Sequence, residues 1–169
     1  MAGMEALGRL FNAVPVGSGN PLKVRGASGV AILAWNATPS TATTLTLTQD
    51  STFGGSFSGG LFAIKNVYTT TALNGTAAWT KQTYNPGTAP WTGASANNVN
   101  GPANAITFNA GSQNFSTAVA VMVHVFTSEF ADPMSYIKAT MSGAGGLCVV
   151  LPYDPVHQRG PANLEILGA

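Results

Sequence analysis

The chain carries almost no charge. Seven Lys or Arg and six Asp or Glu serve 169 residues, 8% of the total, against about 25% in an ordinary soluble domain. The formal net charge of +1 provides no long-range pull toward nucleic acid or an anionic membrane surface. A single cysteine, Cys148, excludes an internal disulfide framework and fits synthesis in a reducing compartment. Long apolar runs are missing as well. The longest, such as Val30-Ala31-Ile32-Leu33-Ala34-Trp35, fall far short of the ~20 residues of a spanning helix. The first residues, MAGMEALGRLF, lack the basic segment and apolar core of a secretory signal. Thr, Ser, Asn, Gly and Ala stand where charge is absent. A monomer kept dispersed by charge is not built this way, whereas a subunit whose surface meets other protein is.

The material for a core is present. Hydrophobic residues make up 45% of the chain, and one domain of this size buries roughly 70% of its unfolded surface. Met4, Leu7, Leu10 and Phe11 fall on one face of a helical pattern over residues 3–12, with Glu5 and Arg9 on another. This helical arm is too short to be stable alone, so it docks on its own domain or on a neighbour. Pro15, Gly17, Gly19 and Pro21 end it.

Beyond the arm the pattern is one of strands. Residues 29–36 form a buried-type strand. In Thr43-Thr44-Leu45-Thr46-Leu47-Thr48-Gln49 the alternation turns the leucines inward and the threonines outward. Further strands are expected over 61–69, 77–84 (after the turn signal Asn74-Gly75), 105–109, 118–127, 135–142 and 147–151. The Gly-rich stretches 54–60 and 143–146 serve as hairpin loops. In the strand around Val123 both faces are apolar, which predicts a central strand covered on both sides. Residues 85–104 make a long irregular loop with Trp91 in its middle, either folded back on the domain or inserted into a partner. The expected fold is all-β, a β-sandwich or jelly roll, with an N-terminal arm over 1–21, a domain over 22–151 and an extended C-terminal strap over 152–169.

Chemistry finds little support. No serine stands in a G-x-S-x-G elbow, and neither Gly-rich stretch leads into the Lys-Ser/Thr of a phosphate loop. His124 lies inside a strand as a packed histidine. Cys148, Asp154 and His157 are near in sequence, but Cys148 sits among Leu147, Val149 and Val150, where burial blunts a thiol. Glu129 and Asp132 lack the graded oxygen ligands of a calcium loop. Two histidines and one cysteine do not make a structural zinc site. The sequence therefore points to no catalytic, metal or cofactor-binding residues, and to no enzyme.

The C-terminal segment Val149-Val150-Leu151-Pro152-Tyr153-Asp154-Pro155-Val156-His157-Gln158-Arg159-Gly160-Pro161-Ala162-Asn163-Leu164 resembles the ending of small virion proteins of tailed bacteriophages. There an apolar strand leads to an Asp, a Gln-Arg pair, a Pro and an Asn-Leu. The strand Trp79-Thr80-Lys81-Gln82-Thr83 resembles the middle of the same proteins. The resemblance implies a head-associated structural protein, a capsid decoration or minor capsid protein on the virion surface, made in the host cytoplasm. Its partners would be the major capsid protein and neighbouring copies, with no nucleic acid, membrane or cofactor. The residues expected at partner contacts are Leu7, Leu10 and Phe11 of the arm, Trp91 of the long loop and Arg159 of the strap. Arg159 pairs either with a partner or with Asp154 of its own chain. The alternatives are a tail tube or fibre subunit, or a carbohydrate-binding β-sandwich using Trp35, Trp79 and Trp91 as sugar platforms.

Overall fold

The computed structural model describes residues 14–15, 19–24, 27–38, 41–57, 64, 66–83, 104–109, 115, 117–131 and 135–155. Among them the chain is nearly all β. The strands are β1 (Val14–Pro15), β2 (Pro21–Lys23), β3 (Ala27–Asn36), β4 (Thr43–Asp50), β5 (Asn66–Thr70), β6 (Thr80–Thr83), β7 (Ala105–Phe108), β8 (Ala120–Phe126), β9 (Tyr136–Ser142) and β10 (Gly146–Pro155). One 3-10 turn, Thr127–Glu129, follows β8. No helix among the described residues is long and apolar enough to cross a membrane. The expected N-terminal helix lies outside the described residues.

The strands form two antiparallel sheets, one in the order β1-β10-β3-β8-β5-β6 and the other in the order β2-β9-β4-β7. Among the described strands, every connection except β5 to β6 passes from one sheet to the other. The pairs β3–β10, β4–β9 and β5–β8 are nested in sequence, like a long hairpin folded over on itself.

Strand alternation explains the core. Side chains of successive residues point to opposite faces. Ile32 and Ala34 of β3, Val121 and Val123 of β8 and Val150 of β10 thereby share one face of the larger sheet. Leu45 and Leu47 of β4 with Ile137 and Ala139 of β9 share one face of the smaller. All belong to one buried apolar cluster. Full burial of each Val, Leu or Ile contributes roughly 1.5–3 kcal/mol, so this shared layer is the main term holding the sheets together. Thr43 and Gln49 end β4 on the same inward face. Gln49 is satisfied there, accepting the Ala131 N–H at Oε1, 3.1 Å away.

A polar corner closes one end. Asn36, buried at the end of β3, donates through Nδ2 to the Thr41 carbonyl (2.9 Å) and to the Thr43 hydroxyl, while its Oδ1 accepts the Thr38 N–H (2.7 Å). The Ala37 N–H donates to the Gly145 carbonyl. Asn109, in the left-handed region at φ 59°, donates through Nδ2 to the Thr38 carbonyl (2.9 Å). One amide side chain thus anchors the β3–β4 crossing, and its neighbours bind the chain after β7 and between β9 and β10 to the same spot.

Three expectations are corrected. Residues 143–146 are not a hairpin loop, because β9 and β10 lie in different sheets. Gly143 (φ 100°) and Gly145 (φ 78°) make an inter-sheet corner, where a Cβ would collide with the Ala42 carbonyl oxygen and the Thr38 hydroxyl respectively. The described strands on either side of the Gly-rich stretch at 54–60, β4 and β5, also belong to different sheets and do not pair as a hairpin, while residues 58–60 lie outside the described residues. Finally, β8 is central, lying between β3 and β5, but its outward face is covered only in part, with Ala120 buried at one end and Phe126 exposed at the other. Val121, Val123 and Val125 are buried, whereas Met122 and His124 are half-buried and Phe126 is 49% exposed.

Other elements were not expected. The strands β1 and β2 fall where Pro and Gly mark a break, and β10 runs through Pro152 to Pro155. Both prolines lie past Val150, where the described pairing with β1 ends. Both stay in register with β3, as Pro152↔Val30 and Pro155↔Ala27.

Leu47→Ala, at the centre of the shared layer, is expected to destabilise the domain by about 2–5 kcal/mol. Asn36→Ala, which leaves buried donors and acceptors unpaired, should cost about 1–3 kcal/mol. Thr46→Ala on the outward face of β4 should change stability by about 0.5 kcal/mol. Urea unfolding followed by fluorescence measures all three.

Candidate interaction surface

The outward faces of the two sheets are unlike. On the four-stranded sheet, cross-strand register sets Thr44 between Ser142 and Thr107, Thr46 between Thr140 and Ala105, and Thr48 opposite Lys138. The hydroxyls of Thr44 and Thr107 lie 2.8 Å apart in a hydrogen bond. This face is hydroxylated and suits contact with water.

The six-stranded sheet presents a different row structure. Leu147, Trp35 and Ala120 stand side by side on β10, β3 and β8. The next row is Val149, Leu33, Met122 and Tyr68, and the one after it is Leu151, Ala31 and His124. Leu147 is 50% exposed, and Leu33, Trp35, Met122, Val149 and Leu151 are half-buried. Lys81, beside Tyr68 on β6, marks the border. No Asp, Glu or Arg stands in these rows. The same alternation that sends Ile32, Val123 and Val150 into the core sends Leu33, Met122 and Val149 outward. Contiguous outward apolar faces are the kind of surface found at interaction sites, which makes this face the candidate.

Among the described residues, three reactive groups make structural contacts or are buried. The imidazole of His124 meets the ring of Phe126 edge-on at 4.8 Å between centroids. Cys148 points inward and is buried, and burial pushes its thiol pKa up. Glu129 accepts the Phe126 N–H at 2.9 Å and closes the 3-10 turn. Among the described residues, no three His, Cys, Asp or Glu side chains group as metal ligands would.

Asp50 organises the turn after β4. Its carboxylate accepts the Thr52 N–H (3.0 Å), the Thr52 hydroxyl (3.2 Å) and the Phe57 N–H (3.1 Å), the arrangement of an Asx turn. The Thr52 N–H, followed by that of Phe57, holds this carboxyl below its usual range. The turn seats Phe57, buried and at φ 53°, under the ammonium of Lys138, 5.3 Å from the ring centroid.

Leu7, Leu10, Phe11, Trp91 and Arg159, the expected contact residues, all lie outside the described residues. Of the three tryptophans considered as sugar platforms, Trp35 is half-buried on the outward face of β3. Trp79 is 41% exposed just before β6, with β8 and β5 intervening. The outward face of β3, β8 and β10 was missed from sequence. Its signal was the two-sided apolar pattern of β8, which is equally that of a strand buried on both faces. No family model, curated protein or solved structure matches the chain.

The Asp50 pKa is lower folded than unfolded, so its contribution to stability is present above the unfolded value and lost as pH falls through the folded one. Between about pH 5 and pH 2 the unfolding midpoint of the native chain should therefore fall more steeply than that of Asp50→Asn. Separately, Cys148 should resist alkylation in the folded chain and react readily in urea, as mass spectrometry would show.

Proposed function

We propose that the chain is a structural protein of a tailed-bacteriophage virion, a capsid decoration protein that binds the outer face of the major capsid shell and stabilises it. The observation that carries this is the contrast between the two outward faces, apolar on β3, β8 and β10 and hydroxylated on β4, β9 and β7. Such a module has a direction. One side can be buried against protein while the other meets water, and neither requires charge. Scarcity of charge at 8% and the resemblance of the C-terminal segment to small phage virion proteins support the same role.

In this proposal the two sheets are the layers of a β-sandwich, and the nested strand pairs are the folded-over hairpin of a jelly roll. The major capsid protein is the partner, with neighbouring copies around it. Leu7, Leu10 and Phe11, Trp91 and Arg159 add contacts from the arm, the long loop and the strap. The role calls for no cofactor and no catalytic group.

Purified chain should bind shells that lack it, as read by co-sedimentation. Met122→Glu or Leu33→Glu should weaken binding by about tenfold or more, equivalent to about 1.4 kcal/mol. Thr46→Glu on the opposite face should leave it unchanged. Since the contacts are apolar, binding should vary little between low and moderate ionic strength. Failure of the native chain to bind such shells, or equal effects of substitutions on the two faces, would overturn the proposal.

A further inference from the structure

The loop between β5 and β6 holds an Asn-Gly pair in an arrangement with chemical consequences. Asn74, Gly75 and Thr76 are all exposed. The side-chain Oδ1 of Asn74 accepts two hydrogen bonds from Thr76, one from its N–H (3.1 Å) and one from its hydroxyl (2.5 Å). Gly75 stands between the two residues at φ 78°, with no atom within 4 Å of the place a Cβ would take. The base of the loop is held by the buried Thr70, whose hydroxyl donates to the Ala72 carbonyl (3.0 Å).

We infer that Asn74 is a site of spontaneous deamidation, promoted by the turn that holds it. The Gly75 nitrogen attacks Cγ of Asn74. The N–Cγ bond forms, the Cγ–Nδ2 bond breaks, and Nδ2 leaves as ammonia with the proton that the Gly75 nitrogen gives up. Water then opens the cyclic imide. Opening at Cγ leaves aspartate, and opening at the backbone carbonyl leaves isoaspartate; in both the carboxyl proton passes to solvent, and nothing is oxidised or reduced. During the attack negative charge develops on Oδ1, the atom on which both Thr76 donors converge. Donors aimed at a developing oxyanion lower the barrier to its formation. Gly75 leaves its nitrogen unshielded, because it has no Cβ. Other described asparagines lack this combination. Asn20 precedes Pro21, whose nitrogen carries no proton. Asn36 also accepts an N–H from two residues on, but it is buried, and the N–H of the following Ala37 is bound to the Gly145 carbonyl. Asn109 is buried, and Asn66 lies within β5, followed by the branched Val67. The product matters because charge is scarce. One new carboxylate brings the anions level with the seven cations and takes the formal net charge from +1 to zero, a change that favours self-association.

The inference does not depend on the shell, so it is tested on the isolated full-length chain. The folded protein is incubated in neutral buffer, and loss of each asparagine amide is followed by peptide mass spectrometry. Peptide resolution separates Asn74 from Asn100-Gly101, the other Asn-Gly pair of the sequence. Asn74 should convert while Asn36 and Asn109 keep their amides, and an acidic form should appear on isoelectric focusing. Thr76→Ala removes the hydroxyl donor and should slow conversion at Asn74 by about tenfold, less than the roughly 100-fold worth of a donor in a water-excluded site, because this turn is solvated. Thr76→Ser, which keeps the hydroxyl, should restore most of the rate. In urea the donors are no longer held in place, and native and Thr76→Ala chains should convert equally fast. An Asn74 amide that persists in the folded chain would overturn the inference. So would equal rates for the folded native and Thr76→Ala chains, or a difference between them that survives in urea, since either would leave the turn without a part in the reaction.

Discussion

The apolar layer between the sheets is the constraint on which the rest of the structure depends. Among the described strands the chain changes sheet at every connection except β5 to β6, so neighbours in sequence seldom hold each other by ladder hydrogen bonds. What ties β3 to β4 is their place in one buried cluster, to which Ile32 and Ala34 contribute from one sheet and Leu45, Leu47 and Ile137 from the other. Contacts of this kind are distant in sequence. The cost of closing those loops must be recovered by burial, and burial is available only when the central inward positions of both sheets are apolar together. The polar corner at Asn36 complements this layer. It cannot supply comparable energy, but it fixes where the crossings end, because a buried amide left unpaired is costly.

Once the inward faces are committed, the outward faces are free to differ, and they do. The smaller sheet carries threonine at alternate positions of β4, matched by Thr107, Thr140 and Ser142 across the strands. The larger carries Leu33, Trp35, Met122, Val149 and Leu151. This contrast gives the low charge a physical meaning. A chain with seven cations and six anions has little to spend on keeping itself dispersed, and its hydroxylated face does that work without charge. In the proposed role the apolar face is the one that meets protein.

Several elements were legible in the sequence. The strict alternation of Thr44 to Thr48 specified both the strand and its inward leucines, and β3, β7, β8 and β9 lie within one or two residues of their expected spans. The failures share a cause. Gly143 to Gly146 has the composition of a hairpin loop, yet the two strands it joins pair with β4 and β3 instead of with each other. The two-sided apolar pattern of β8 is the same whether its second face meets another layer of this domain or a partner. The outward threonines read from residues 43–49 hold for the smaller sheet and do not extend to the larger. Leu7, Leu10, Phe11, Trp91 and Arg159 were conspicuous in sequence for their chemistry, but residue type alone does not locate a contact.

The sequence by itself determined that this is a β protein with an apolar core, few titratable groups and one thiol destined for the interior. Those properties follow from composition and from a period of two, which are local. Only the tertiary structure decided which strands pair, that the Gly-rich corner passes between sheets, and that Leu33, Met122 and Val149 come together on one outward face. Those outcomes depend on contacts between residues far apart in the chain, such as Met122 with Leu33 across β8 and β3. No local pattern encodes them, because the same alternating segment is compatible with many neighbours until the closure of the shared layer selects one set.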